Sequence, residues 1–88
     1  MSMPQEMMIE KMGKVREHFK VHPEAFEQAI AGMSAEAQSA AKEGHKIFMD
    51  ESLDPAARKE KMVQHKSGLS PEVLAELEKM KADLLAKF

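Results

Sequence analysis

Met8, Met12, Val15 and Phe19 recur at intervals of four, three and four residues, which places them on one stripe of a helix. Met7 and Ile9 widen that stripe. The spacing predicts a first helix over about residues 4–20 with Pro4 in its opening turn. Gly13 interrupts it, at about 1 kcal/mol relative to Ala in an exposed helix interior. His22-Pro23 ends it, because a residue before proline avoids the helical region. Pro23 opens a second helix over about 23–31, with Glu24 at its positive dipole end and Phe26, Ala29, Ile30 and Met33 on its apolar face. Gly32 reads as its stop residue. Ser34 caps a third, alanine-rich helix over about 35–51. Its buried stripe is Ala37, Ala41, Gly44 and Phe48, with Ala40 and Ile47 beside it, and Leu53 folds back toward the core.

Asp54-Pro55 pairs an acidic cap with proline at the first helical position and starts a fourth helix over about 55–66. Ala56, Met62 and Val63 form its apolar side, Lys59 adds its stem, and Ser67-Gly68 closes it. Ser70-Pro71-Glu72 opens a fifth over about 71–87 by the same logic. Its seam holds Val73, Leu74, Leu77, Met80, Leu84, Leu85 and Phe88, with Lys81 as the exception. Period-two alternation is absent, so no strand is expected. Loops of about two to five residues favour antiparallel neighbours. The expected fold is therefore all-α, a compact antiparallel bundle of four or five helices in one domain over 1–88. Its first and last helices pack together, so that Val15, Phe19, Leu77, Met80 and Leu84 meet Phe26, Ile30, Ile47, Phe48, Met62 and Val63.

Composition shows how thin that core is. Of 88 residues only 17 are Leu, Ile, Val or Phe, while 12 are Ala and 9 are Met. Small alanines let neighbouring helices approach closely. Methionines suit either an adaptable core or a groove that repacks around apolar ligands, and Met7, Met8, Met12, Met33, Met49, Met62 and Met80 leave both readings open. The absence of cysteine excludes a disulfide framework, a thiol nucleophile and a zinc–thiolate site. A net charge of −2 lacks the concentrated positive field that broad nucleic-acid binding needs. No apolar run approaches the ~18 residues of a transmembrane segment. The start lacks the basic region and apolar stretch of a signal peptide, so a secreted form is expected to have lost its signal already.

Several groups carry potential chemistry, each beside a plainer role. His18 and His22, four residues apart with Glu17 and Glu24 nearby, could chelate a metal on a continuous helix. Pro23 makes that geometry doubtful, and cationic histidines near a helix C-terminus are ordinary. Asp50, Glu51 and Asp54 gather carboxylates between two helices, an oxygen set suited to Mg or Ca. They lack the twelve-residue calcium loop, and Asp54 is already a helix cap. No cofactor is otherwise expected. Arg58, Lys59, Lys61 and Lys66 form the densest basic stretch, spread over more than one helix face and without interleaved aromatics, so solubility explains them. Ser34, Ser39, Ser52, Ser67 and Ser70 take cap or surface roles, and His45 and His65 have no identifiable nucleophile. The chain is therefore read as non-enzymatic.

Gly32-Met33-Ser34-Ala35-Glu36 is echoed thirty-six positions later by Gly68-Leu69-Ser70-Pro71-Glu72. Two copies are too few for a solenoid, and shared capping chemistry explains the echo. Residues of about 33–77 nevertheless resemble part of a family of small helical nematode antigens and allergens, the SXP-like secreted proteins. The likeness lies in the order of four features. Met33-Ser34-Ala35-Glu36-Ala37 is similar to that family's apolar–serine start of an alanine-rich helix, and Asp50-Glu51-Ser52-Leu53-Asp54 to its polar junction. Arg58-Lys59 before Met62-Val63, and then Leu69-Ser70-Pro71-Glu72-Val73, resemble the register of its next helix and the start of its last one. The resemblance covers about half the chain, and residues 1–20 lie outside it. It implies a secreted or surface-associated helical protein binding a divalent cation or a small apolar ligand. Without it, a cytoplasmic location is expected.

The leading functional expectation is an interaction module that binds a partner protein, or a second copy of itself, through Met8, Met12, Phe19, Met80, Leu84 and Phe88. The alternative is a small secreted carrier for a lipid-like ligand or a divalent cation. Neither reading involves nucleic acid.

Overall fold

The computed structural model describes residues 4–88; Met1, Ser2 and Met3, included in the expected domain, lie outside the described residues. Five helices follow one another: α1 (Gln5–Val21), α2 (Pro23–Ile30), α3 (Ala35–Phe48), α4 (Pro55–Ser67) and α5 (Pro71–Lys87). There is no strand among the described residues. The radius of gyration, 12.6 Å, is close to the about 12 Å expected for a folded chain of this length.

The helix starts follow the local chemistry. Ser34, Asp54 and Ser70 each stand in extended backbone and accept a hydrogen bond from the amide three residues on, at Ala37 (3.2 Å), Ala57 (2.7 Å) and Val73 (3.3 Å). Pro23, Pro55 and Pro71 occupy first helical positions, where the missing N–H costs nothing. Pro4 differs from expectation: it precedes α1 in extended backbone and provides no side-chain cap. A single non-helical residue, His22, separates α1 from α2.

α3 ends at Phe48, about a turn before the expected residue 51. Asp50 accepts hydrogen bonds from the amide and hydroxyl of Ser52, a local turn that competes with helix continuation. Arg58 reaches back to the carbonyls of Asp50 and Leu53 and fixes the loop in that form. Gly32 and Gly68 follow their helices as expected, yet no glycine among the described residues has a positive φ. Both terminate helices without a left-handed cap.

α3 is the hub, packing against α2, α4 and α5, while α1 packs against α2 and α5. One core cluster joins Val15 and Phe19 of α1, Phe26 and Ile30 of α2, and Ala41 of α3, with Phe48, Leu77, Met80, Leu84 and Phe88 against it. A second joins Ala37, Ala40 and Val73. The alanine stripe thus lets α3 sit at the centre of the bundle, as its small side chains predict. α4 departs from expectation, since none of its residues is buried. Val63 was expected to face the core but is 59 % exposed, and Ile9, expected to widen the buried stripe of α1, is 64 % exposed. Both emerge because α4 packs chiefly on α3 and does not close over α1.

Candidate functional site

That incomplete closure leaves a cleft of about 640 Å³. Ala40, Ala41, Gly44 and Phe48 of α3 form its floor, α1 and α5 supply one wall, and α4 supplies the other. Its surface is chiefly apolar. Met8 and Met12 face it from α1, Met62 from α4, and Met80 and Leu84 from α5. The four methionines are half-buried, an arrangement in which flexible, polarizable side chains can repack around an occupant. The volume falls within the about 300–1,000 Å³ of small-molecule sites.

Gly44 is buried and keeps the floor low where α4 crosses α3. A Cβ at this position would meet the His65 ring at 3.4 Å and the Met62 methyl at 3.7 Å. His65 Nε2 donates to the Ala40 carbonyl at 2.9 Å, since a carbonyl can only accept, and so ties α4 to α3 beneath the cleft. His45 also reaches the cleft and stacks on Phe26, with ring centroids 3.8 Å apart and planes within 12°. Phe19 meets the same imidazole edge-on at 5.5 Å. Burial lowers the His45 pKa, with the Glu27 charge opposing.

Polar chemistry concentrates at the C-terminal edge of α3. Arg16 Nε donates to the Phe48 carbonyl at 3.0 Å, and its guanidinium lies 4.7 Å from the centre of the Phe48 ring. Arg58 donates through one terminal nitrogen to the Asp50 (3.0 Å) and Leu53 (3.1 Å) carbonyls. These bonds serve carbonyls at and beyond a helix end, where positive charge is favourable. Burial lowers the Arg16 pKa, and the neighbouring positive charge of Arg58 lowers it further, against an opposite pull from Glu51. Neither guanidinium forms an ion pair among the described residues. Arg58 Nε is buried and makes no hydrogen bond among them.

Of the residues expected to bind a partner, Met8, Met12, Phe19, Met80 and Leu84 all line this cleft. Phe19 does so from within the core, at 5 % exposure. Phe88 lies elsewhere: it packs on His18 at 5.2 Å and borders a shallow, open depression with Lys14, Val21 and His22.

The carboxylates at the α3–α4 junction are separately engaged. Asp50 binds Ser52, and those hydrogen bonds lower its pKa. Glu51 pairs with Lys20 at 2.9 Å, and Asp54 caps α4. The structure does not gather Asp50, Glu51 and Asp54 as a chelating set, and no metal-holding cluster of three or more His, Asp or Glu occurs among the described residues. His18 and His22 have ring centres 5.2 Å apart, with His22 beside Glu24 at 3.3 Å.

Sequence reasoning missed Arg16, the floor role of Gly44 and the stacking of His45. One signal for Arg16 was present: it lies four residues after Met12, at the edge of the apolar stripe. No helix among the described residues is long and apolar enough to cross a membrane. No protein-family model matches the chain, and neither the curated proteins nor the solved structures give a match. The SXP-like resemblance therefore rests on the motifs quoted above.

Proposed function

We propose that the protein is a non-enzymatic carrier that takes an apolar chain into the cleft between α4 and the α1–α5 pair. The cleft itself carries this reading. It is concave, its walls are methionine-rich, and α3 presents a floor of small residues that gives depth rather than a flat face. Small-molecule sites are typically largely apolar concavities with a few placed polar groups. The occupied cleft would complete a core that the chain's few large aliphatic side chains leave thin.

The methionine methyl groups provide the test. Addition of the neutral fluorophore N-phenyl-1-naphthylamine should enhance its emission and shift the Met8, Met12, Met62 and Met80 methyl NMR signals. Met33 and Met49, which pack against the core clusters away from the cleft, should move less. Met62→Asp should abolish the response while leaving the helical circular dichroism intact. Unshifted signals at saturating probe would reject the carrier reading.

The exposed side chains of Ile9 and Val63 favour a second reading, a protein partner or a second copy docking across the same opening. Light scattering distinguishes it: concentration-dependent association abolished by Val63→Asp supports the protein surface, and a monomer at all concentrations removes self-association.

A further inference from the structure

We propose, building on the carrier reading, that the occupant is a free fatty carboxylate whose anionic group binds at Arg16 and Arg58. The charge of the cleft runs opposite to that of the chain. Overall the protein carries a net −2, yet Arg16, Arg58, Lys59, Lys66 and Lys81 all border the cleft, and among the described residues Glu78 is the one carboxylate doing so. Glu78 is itself beside Lys66, at 3.6 Å. An apolar trough ringed by cations suits a ligand with a long hydrocarbon body and a negative head.

The two arginines mark where the head goes. Their backbone bonds use Nε of Arg16 and one terminal nitrogen of Arg58. Each guanidinium has five N–H donors, so both retain donors for a further acceptor. The buried Arg58 Nε lacks a partner among the described residues, and a buried donor left unmade is costly. Two neighbouring positive charges also repel, and Arg16 already lies against the Phe48 ring in a partly desolvated setting. A carboxylate between them would relieve the repulsion and accept charge-assisted hydrogen bonds. Arginine's planar fork suits that geometry better than lysine's point charge. The neighbouring methionines of α1, α4 and α5 would then hold the alkyl chain.

Laurate and dodecanol separate the head from the chain, because they share an alkyl length and differ in charge. By calorimetry, laurate should bind at least about tenfold more tightly than dodecanol, the difference expected of charge-assisted hydrogen bonds. Arg16→Gln and Arg58→Gln should each remove most of that advantage, read as the ratio of laurate to dodecanol affinity within each variant. Arg58 also holds the α3–α4 loop, so wild-type protein supplies an independent readout: the carbon-13 signal of carboxyl-labelled laurate. Its titration midpoint should fall on binding, because adjacent guanidinium groups favour the carboxylate. If dodecanol binds as tightly as laurate, or the bound carboxyl titrates as in solution, the arginine assignment is overturned and the apolar cleft stands. If neither ligand binds and the methionine signals do not move, the carrier reading falls and this inference with it. Binding to phosphatidylglycerol vesicles without laurate binding would also overturn it, in favour of a membrane surface.

Discussion

Glu76 of α5 accepts two hydrogen bonds from Ser34, one from its amide at 2.9 Å and one from its hydroxyl at 2.7 Å. The same hydroxyl accepts from the Ala37 amide and caps α3. One serine therefore starts a helix and fastens it to the last helix of the chain, forty-two residues away. Ser34→Ala should cost about 1 kcal/mol from the lost cap alone, and more because Glu76 also loses a partner. Glu76→Gln should destabilise in the same direction. The double variant should lose less than the two single losses together, because both remove one shared contact. Urea denaturation of the four proteins measures that coupling.

The same contact predicts an acid-labile component of stability. The Ser34 amide and hydroxyl hold the Glu76 pKa below its ordinary 4.5. The folded state thus binds that proton less readily than the unfolded chain. The resulting stabilisation is present above about pH 4.5 and is lost as the pH falls through the folded-state value. Glu76→Gln should flatten the thermal-stability profile in this acidic window.

His45 acts in a different window. Burial lowers its pKa from the ordinary 6.5, so the neutral imidazole is the form suited to the stack on Phe26. Its stabilising contribution is full above about pH 6.5 and declines as the pH falls toward the lowered value, because the unfolded chain takes up the proton first. His45→Phe keeps an aromatic ring without the titration. It should reduce the loss of stability between neutral and mildly acidic pH, measured as the thermal midpoint. An unchanged pH slope in that variant would contradict the assignment.

The helices were legible because their punctuation is local. Ser34, Asp54 and Ser70 act within a few residues of themselves, and each caps the helix expected of it. The fate of α4 was less legible. Met62 and Val63 look alike as apolar residues, but which one faces inward depends on how far α4 swings from α1, a tertiary property. Arg16 was hidden for a related reason. It becomes noteworthy only when the α3–α4 loop brings Arg58 near it, forty-two positions away in sequence. The methionine pattern fits both filler and binding surface, because Met8, Met12, Met62 and Met80 line the cleft while Met33 and Met49 pack against the core.

Gly13 and Gly44 separate helix propensity from packing. Both lie inside helices, but nothing lies within 4 Å of a Cβ added at Gly13. Gly13→Ala should therefore stabilise the protein by about 0.5–1 kcal/mol through backbone propensity. At Gly44 a Cβ reaches His65 and Met62 at ordinary contact distances, so Ala should be accommodated. Gly44→Leu should instead push α4 from α3, costing about 1–3 kcal/mol by overpacking. Denaturant unfolding of the three variants should give opposite signs for Gly13→Ala and Gly44→Leu.

Val63 and Ile30 test where the fold spends its few aliphatic side chains. Ile30 is 1 % exposed at the centre of the larger core cluster. Ile30→Ala should cost about 2–5 kcal/mol, a large share of the stability of a domain this small. Val63 carries the same apolar character without that burial. Val63→Ser should change stability by only about 0.5 kcal/mol, as is usual for surface substitutions. If α4 instead closed over α1 in solution, Val63 would become buried and its substitution would approach the cost of a core change. Chemical denaturation of the two variants therefore tests the open position of α4 directly, independently of any ligand.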